Sequence, residues 1–344
     1  MSLILNHPPK LWLRKRVLGR CSPLHSNGFS SASLPQSQTS TLPLTIFCAD
    51  PCRPHLVRIV IRRDSDMEPL DYEMPSDFME VTKMIGTSNG WITSLMDGIV
   101  RIREHPGKNP ELVRTISLPP HVTLPLCQAQ MATNVAMSTS SPVKEDCAVA
   151  VKFLGPQLSI CKPAQSNGEW INIRISNPCF YSSPVMYSEK EDMFRIIGSG
   201  GQLVGSWDLG KHKDTPKIQR LQFQNLPELS KAKRELLYSC STSEHLVESR
   251  TTGETFMVKW FKRTTKTIYC IERMETEALM VFKIDEEGNN AIYTQDIGDL
   301  CIFLTRSESF CVPACSVRHM RPNRVKLMDV DEITIIDLAA QKWN

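Results

Sequence analysis

Two glycine-bearing runs and two cysteine groups are the places where this 344-residue chain could carry catalysis or ligand chemistry. Gly86-Thr87-Ser88-Asn89-Gly90 matches G-x-S-x-G, a motif that works when a strained strand-to-helix turn lifts the serine above a parallel sheet. The residues after it, Trp91-Ile92-Thr93-Ser94-Leu95-Met96-Asp97-Gly98, read as a strand and a turn, so Ser88 is read as a surface turn residue. Gly205-x4-Gly210-Lys211-His212 approaches a P-loop, but His212 stands where a hydroxyl must hold Mg²⁺ and Pro216 interrupts the helix that phosphates require. Gly198, Gly200 and Gly201 do not complete a dinucleotide fingerprint, because Leu203 occupies the third glycine position. These are read as hairpin glycines. No H-E-x-x-H and no plausible pair of catalytic carboxylates is found, so no catalytic residue and no cofactor is assigned.

The cysteines argue the same way. Cys147, Cys161, Cys270 and Cys301 have apolar neighbours, as small buried hydrophobes do. Cys48 with Cys52, and Cys311-x3-Cys315-x3-His319, could lend ligands to zinc, but a second matching pair at knuckle spacing is missing and Pro313 stiffens the second group. No metal site is assigned. Lys259, Lys262, Arg263 and Lys266 beside Trp260 and Phe261 could hold a nucleic-acid strand by charge and stacking. The same run reads more simply as the solvated face of a strand, and nucleic acid is not expected as a partner.

Charge is distributed unevenly. Asp50 is the first acidic residue, preceded by Lys10, Arg14, Lys15, Arg16 and Arg20 among many serines. An Arg-rich, Ser-rich, acid-free start is what organellar import requires. The leader's early arginines favour the mitochondrion, with the plastid as the alternative. The chain as a whole has 40 Lys+Arg against 37 Asp+Glu. Without the leader's five cations, 35 stand against 37, and such a balance offers no broad field for phosphate backbones. There is neither the apolar core of a secretory signal nor a run long enough for a membrane span.

The elements that would position any site are strands. Ile171-Asn172-Ile173-Arg174-Ile175 alternates strictly, and Val57 to Arg62 and Ile99 to Arg103 do nearly so, as half-buried strands must. Leu279 to Phe282, Leu300 to Leu304 and Glu332 to Leu338 are short, β-branched or aromatic, and bounded by turn residues. Residues 227–238 read as a helix, and 75–84 as a weaker one. Asn89-Gly90, Asp97-Gly98, Asn167-Gly168, Gly200-Gly201 and Glu287-Gly288 punctuate the strands. Trp91, Trp170, Trp207 and Trp260 recur at intervals loosely matching one or two units of a radial repeat of four-stranded sheets. The polar stretch 138–146 reads as a loop between two such units. The fold expected is all-β, a β-propeller-like repeat of short antiparallel sheets over residues 45–344, behind a disordered targeting leader of residues 1–44. A sandwich pair is the alternative.

Several blocks then form a series. Gly86 to Trp91, Cys147 to Phe153 with Leu158 to Pro163, and Asn177 to Ser183 begin it. Met193 to Ile196 through Gly205 to Leu209, Gly298 to Leu304, Phe310 to Ala314 and Asp329 to Asp331 continue it. In that order they resemble the plant family built on domain of unknown function 295, the F-box-associated or KIB-type β-propeller domain. Members of that family carry an N-terminal F-box that docks onto a ubiquitin-ligase scaffold. Here the leader stands in that position, which resembles the organellar subgroup without an F-box. The resemblance implies a propeller and supplies no catalytic or ligand residues. The expectation is therefore a non-enzymatic mitochondrial propeller that binds a protein partner. The alternatives are a substrate-recognition subunit of a ubiquitin ligase and, third, a small-molecule enzyme.

Overall fold

The computed structural model describes residues 44–53, 56–63, 70–75, 84–89, 91–104, 114–120, 132–165, 169–208, 216–266, 272–305, 308–317, 320–329 and 332–343. The leader, Cys270 and His319 lie outside them, as do residues 76–83 of the weaker helix expected from the sequence. Among the described residues the chain forms six sheets and one α-helix. The first sheet is β1 (Leu44–Arg53), β2 (Leu56–Arg63) and β3 (Leu70–Pro75), and the second is β4 (Met84–Ser88), β5 (Trp91–Met96), β6 (Ile99–Glu104) and β7 (Thr115–Pro120). The third comprises β8 (Ala132–Met137), β9 (Val149–Phe153), β10 (Gln157–Cys161) and β11 (Ile171–Arg174). The fourth comprises β12 (Val185–Ser188), β13 (Met193–Ile197), β14 (Leu203–Trp207) and β15 (Lys217–Arg220).

The last two sheets depart from a simple meander. The fifth holds β16 (Gln222–Gln224), β17 (Ser241–Glu248), β18 (Thr255–Lys266), β19 (Glu272–Asp285) and β20 (Asn290–Thr294) in the order β16-β20-β19-β18-β17. Leu221 is all that separates β15 from β16, so the chain steps from the outer edge of the fourth sheet to that of the fifth, where β16 pairs parallel to β20. The sixth holds β21 (Leu300–Thr305), β22 (Phe310–Pro313), β23 (Arg324–Met328) and β24 (Ile333–Asp337) in the order β22-β21-β23-β24. Its inner strand is thus the second in sequence, and β21 runs parallel to β23.

Strand alternation produces the core. In the third, fourth and fifth sheets one set of alternate residues faces the preceding sheet and the other faces the next. Trp91, Val100 and Ile102 of the second sheet pack with Val149, Val151 and Phe153 of the third. Ala150, Leu158 and Ile160 pack with Phe194, Ile196 and Trp207 of the fourth. Ile197 and Val204 pack with Met257 and Phe282 of the fifth, and Val258, Trp260 and Leu279 with Ile302, Leu304 and Val325 of the sixth. Polar clamps reinforce these seams. Asn134 exchanges two hydrogen bonds with the Val185 peptide, at 2.7 and 2.9 Å, and Arg195 makes a bidentate pair with Glu286.

Local signals place the turns and the helix. Asp97 and Gly98 both have positive φ, 52° and 76°, the geometry a two-residue hairpin turn requires. The helix α1 is Lys231–Ser239, four residues later at its start than the sequence suggests, because the Ser230 hydroxyl accepts the Lys233 N–H and caps it there. Residues 138–146 do not link two sheets: they join β8 to β9 within the third.

Candidate functional site

The inner strands β4, β8, β12, β17 and β22 stand side by side in that order. Where β4, β8, β12 and β17 end, their last residues and Glu308, just before β22, form one polar hub. The Ser88 hydroxyl accepts the Met137 N–H at 3.0 Å and bonds to the Glu308 carboxylate. The Asn89 N–H also donates to Glu308, at 3.3 Å, across 219 residues of sequence. Asn89, whose φ is 50°, donates through its side-chain amide to the carbonyls of Met137 and Thr139. Its side-chain oxygen accepts from Arg250 at 2.8 Å, and Arg250 pairs with Glu189 at 2.9 Å. Glu248 takes the Ser188 hydroxyl and the Lys190 N–H.

This geometry corrects the reading of Ser88. It is 2% exposed rather than a surface turn residue. The elbow fails for the reason its context suggested: β5 comes directly after the turn, with no helix behind the serine. Its partners are an amide and a carboxylate whose acidity is weakened. Burial raises the Glu308 pKa and Glu189 adds to this, while the Ser88 hydroxyl, Arg250 and the Asn89 N–H pull it down. A carboxylate so placed anchors donors. The hub holds strand ends together, and the sequence did not reveal it because Ser88, Arg250 and Glu308 lie at the ends of strands or in connections of three different sheets.

A second polar group was also missed. His245 on β17, 8% exposed, lies between the hydroxyls of Ser243 at 3.1 Å and Ser309 at 3.2 Å. Burial, aided by nearby Lys262 and opposed by Asp329, lowers its pKa to about 4, so the ring is neutral at physiological pH. The Ser-x-His spacing on one strand face was the available signal.

The remaining sequence candidates are structural. Gly205 sits within β14 rather than in a hairpin, and a Cβ there would meet the Trp207 ring at 2.9 Å; Gly210, Lys211 and His212 lie outside the described residues. Gly200 and Gly201, with φ of 87° and 74°, are turn glycines as expected. Cys311 is buried in the seam between the fifth and sixth sheets, its thiol pushed up to about 12 by burial, while Cys315 is exposed. Among the described residues no group of three or more His, Cys, Asp or Glu could hold a metal ion. The side chains of Cys48 and Cys52 lie outside those described. Cys147, Cys161 and Cys301 are buried, as small hydrophobes should be.

The basic run on β18 is a solvated face only in part: Arg263 is 53% exposed, Lys259 and Lys262 are half-buried, and the side chain of Lys266 lies outside those described. Strand alternation sends Trp260 into one seam and Phe261 toward the other. Lys259 lies over the Phe223 ring at 4.3 Å. Lys262 lies over Trp260 at 4.2 Å and pairs with Asp329, and Arg263 pairs with Glu277. Of the three cations whose side chains are described, Lys259 lies over a ring while Lys262 and Arg263 are matched by carboxylates, so these three form no continuous free strip for a phosphate backbone. No helix among the described residues is long and apolar enough to cross a membrane.

Successive sheets packed face to face with adjacent inner strands define a β-propeller, a fold that supports a protein-interaction module. The chain belongs to the KIB1-4 β-propeller family, whose model matches residues 63–340. Comparison with curated proteins finds no match. Among solved structures the chain is similar to the dihydro-heme d1 dehydrogenase NirN in complex with DHE, at 12% identity and a TM-score of 0.33, over 76% of this chain and 55% of that one. It is also similar to YCF48 from Cyanidioschyzon merolae, at 11% identity and a TM-score of 0.29, over 71% of this chain and 73% of that one. The chain spans about half the length of the NirN structure.

Proposed function

We propose that this protein is a non-enzymatic propeller that binds a protein partner inside the mitochondrion. The observation that carries the binding reading is the hub. Its serine, asparagine, arginine and carboxylates are hydrogen-bonded to one another and to strand ends, so these groups stabilise the ring, and binding falls to the loops and rim around it. The acid-free, Arg-rich leader of residues 1–44 supports the address, since a cationic leader is drawn by the membrane potential. Two measurements test the two parts. Residues 1–44 fused to a fluorescent protein should enter mitochondria, and changing Arg14, Lys15, Arg16 and Arg20 to Glu should abolish entry. A fusion that stays in the cytosol removes the mitochondrial address. Affinity purification of the full chain from isolated mitochondria should return a stoichiometric protein partner; a bound small molecule that the chain converts to product would establish an enzyme instead.

A further inference from the structure

The outer edge of β19 is paired along only part of its length. The strand spans Glu272–Asp285, but β20 pairs only with Val281–Asp285. At Gln295 the chain turns away from β19. The Thr294 hydroxyl fixes that turn, donating to the Asp296 carbonyl at 2.7 Å and accepting the Asp296 N–H at 2.9 Å. Residues 272–280 therefore have no strand partner on that side among the described residues. An open edge of this kind invites pairing with another strand, and proteins cover or guard it.

Here the cover comes from the sixth sheet and the residues that follow it. The Leu279 N–H, two residues before Val281 and so on the same edge, donates to the Gln341 side-chain oxygen at 3.3 Å. The bulge between Phe261 and Lys262 shifts the phase, and the next outward N–H, that of Thr276, donates to the Glu332 carboxylate at 2.7 Å. Leu338 is buried in the seam between the fifth and sixth sheets, and Trp343 in that between the fourth and fifth. Residues 338–343 thus cross the edge of the fifth sheet. The Trp343 indole N–H donates to the Tyr293 hydroxyl at 2.6 Å, and the two rings meet edge-on at 6.1 Å. Gln295, where β20 departs, donates through its side-chain amide to the carbonyls of Leu338 and Gln341, at 3.1 and 3.0 Å.

We propose that residues 338–343 form a strap that guards the β19 edge and releases as a unit while the sheets stay folded. Side chains do most of the fastening. Among the described residues, the bond from the Leu338 N–H to the Asn323 carbonyl, at 3.2 Å, is the strap's one backbone-to-backbone bond to another segment. Ala339, Ala340 and Lys342 are exposed between the two buried anchors. The neighbouring β23, by contrast, is paired along its whole length with β21 on one side and β24 on the other. Segments with few backbone bonds open at a lower free energy than the sheets they rest on. Because the anchors lie on opposite faces of one sheet, loosening either end frees the Gln341 contact between them.

Residue-resolved amide exchange of the full chain tests the release. In the wild type the Leu279 amide should exchange faster than those of Val281 and Lys283, which lie under β20. Gln341→Ala should speed Leu279 by about tenfold, the loss of one hydrogen bond. Trp343→Ala, which touches neither partner of that bond, should speed it as well, with Val281, Lys283 and Ile302 unchanged. Should Trp343→Ala not fold, Tyr293→Phe, which removes only the hydroxyl that the indole bonds to, gives the reading. A wild-type Leu279 amide that exchanges at the rate of Val281 and Lys283 overturns the proposal, because the segment then opens only with the sheet. A Leu279 amide indifferent to Trp343→Ala and to Tyr293→Phe also overturns it, because the anchors then act separately. Sedimentation velocity tests the guard: the folded Trp343→Ala or Gln341→Ala protein should associate with rising concentration where the wild type does not. A variant with a fast Leu279 amide that sediments like the wild type overturns the guarding role.

Discussion

Ser88 uses its hydroxyl twice inside the protein, accepting from Met137 and donating toward Glu308. Ser88→Ala should therefore destabilise by about 1–3 kcal/mol in urea unfolding, the cost of leaving buried partners unsatisfied, rather than the few tenths of a surface site. A fluorophosphonate probe should leave Ser88 unlabelled, and labelling would restore the nucleophile reading. His245 makes a pH prediction. Its folded pKa of about 4 lies below the ordinary 6.5, so the unfolded chain holds the proton more tightly. Its stabilisation is complete above the unfolded value and lost as pH falls through the folded one, about 3 kcal/mol in all. Thermal melts between pH 7 and 4 should show this loss in the wild type and much less of it in His245→Gln. Parallel curves would place the ring in water. Glu308 has the opposite sign. With its folded pKa raised, its proton-linked contribution is present at low pH and declines as pH rises through that pKa.

At the scale of the elements, a tryptophan at the right strand position anchors a seam. Trp207 is 1% exposed and meets Phe180 edge-on at 6.0 Å between the third and fourth sheets. Trp207→Ala should cost roughly 3–5 kcal/mol, whereas Tyr238→Ala, at an 83% exposed helix position, should stay within about 0.5. Chemical denaturation of the two variants side by side measures both. The Trp207 indole N–H has no hydrogen-bond partner among the described residues, so Trp207→Phe should be far milder than the alanine change. Gly205 explains why the strand tolerates so large a ring, since the absent Cβ is the space that Trp207 fills.

At the scale of the whole molecule, the hydrogen bonds from Ser88 and Asn89 to Glu308 join the second sheet to the sixth. Glu308→Ala should loosen that junction without melting the seams. Amide exchange should accelerate in β4 and β22, and that in β9 and β10, buried between other sheets, should stay unchanged. Uniform acceleration would mean that the junction is coupled to global unfolding and is no local closure.

Much of this architecture was legible in the sequence, and the physical reason is local. A strand's period and composition are written residue by residue, so the alternation of Ile99 to Arg103 and the apolar run of Leu300 to Leu304 announce themselves, and Asp97-Gly98 announces its turn. Burial of Trp207 follows from strand alternation, and that of Cys147, Cys161 and Cys301 from their apolar neighbours. The order of strands does not. Nothing along the chain says that β22 moves inside β21, or that β16 leaves the fourth sheet to cover the fifth, because those choices depend on which faces meet after the sheets stack. The hub is the extreme case. Ser88, Arg250 and Glu308 acquire their partners only when strands far apart in sequence end at the same place, so tertiary structure alone made a buried clasp of a serine that its motif presented as a nucleophile or a turn.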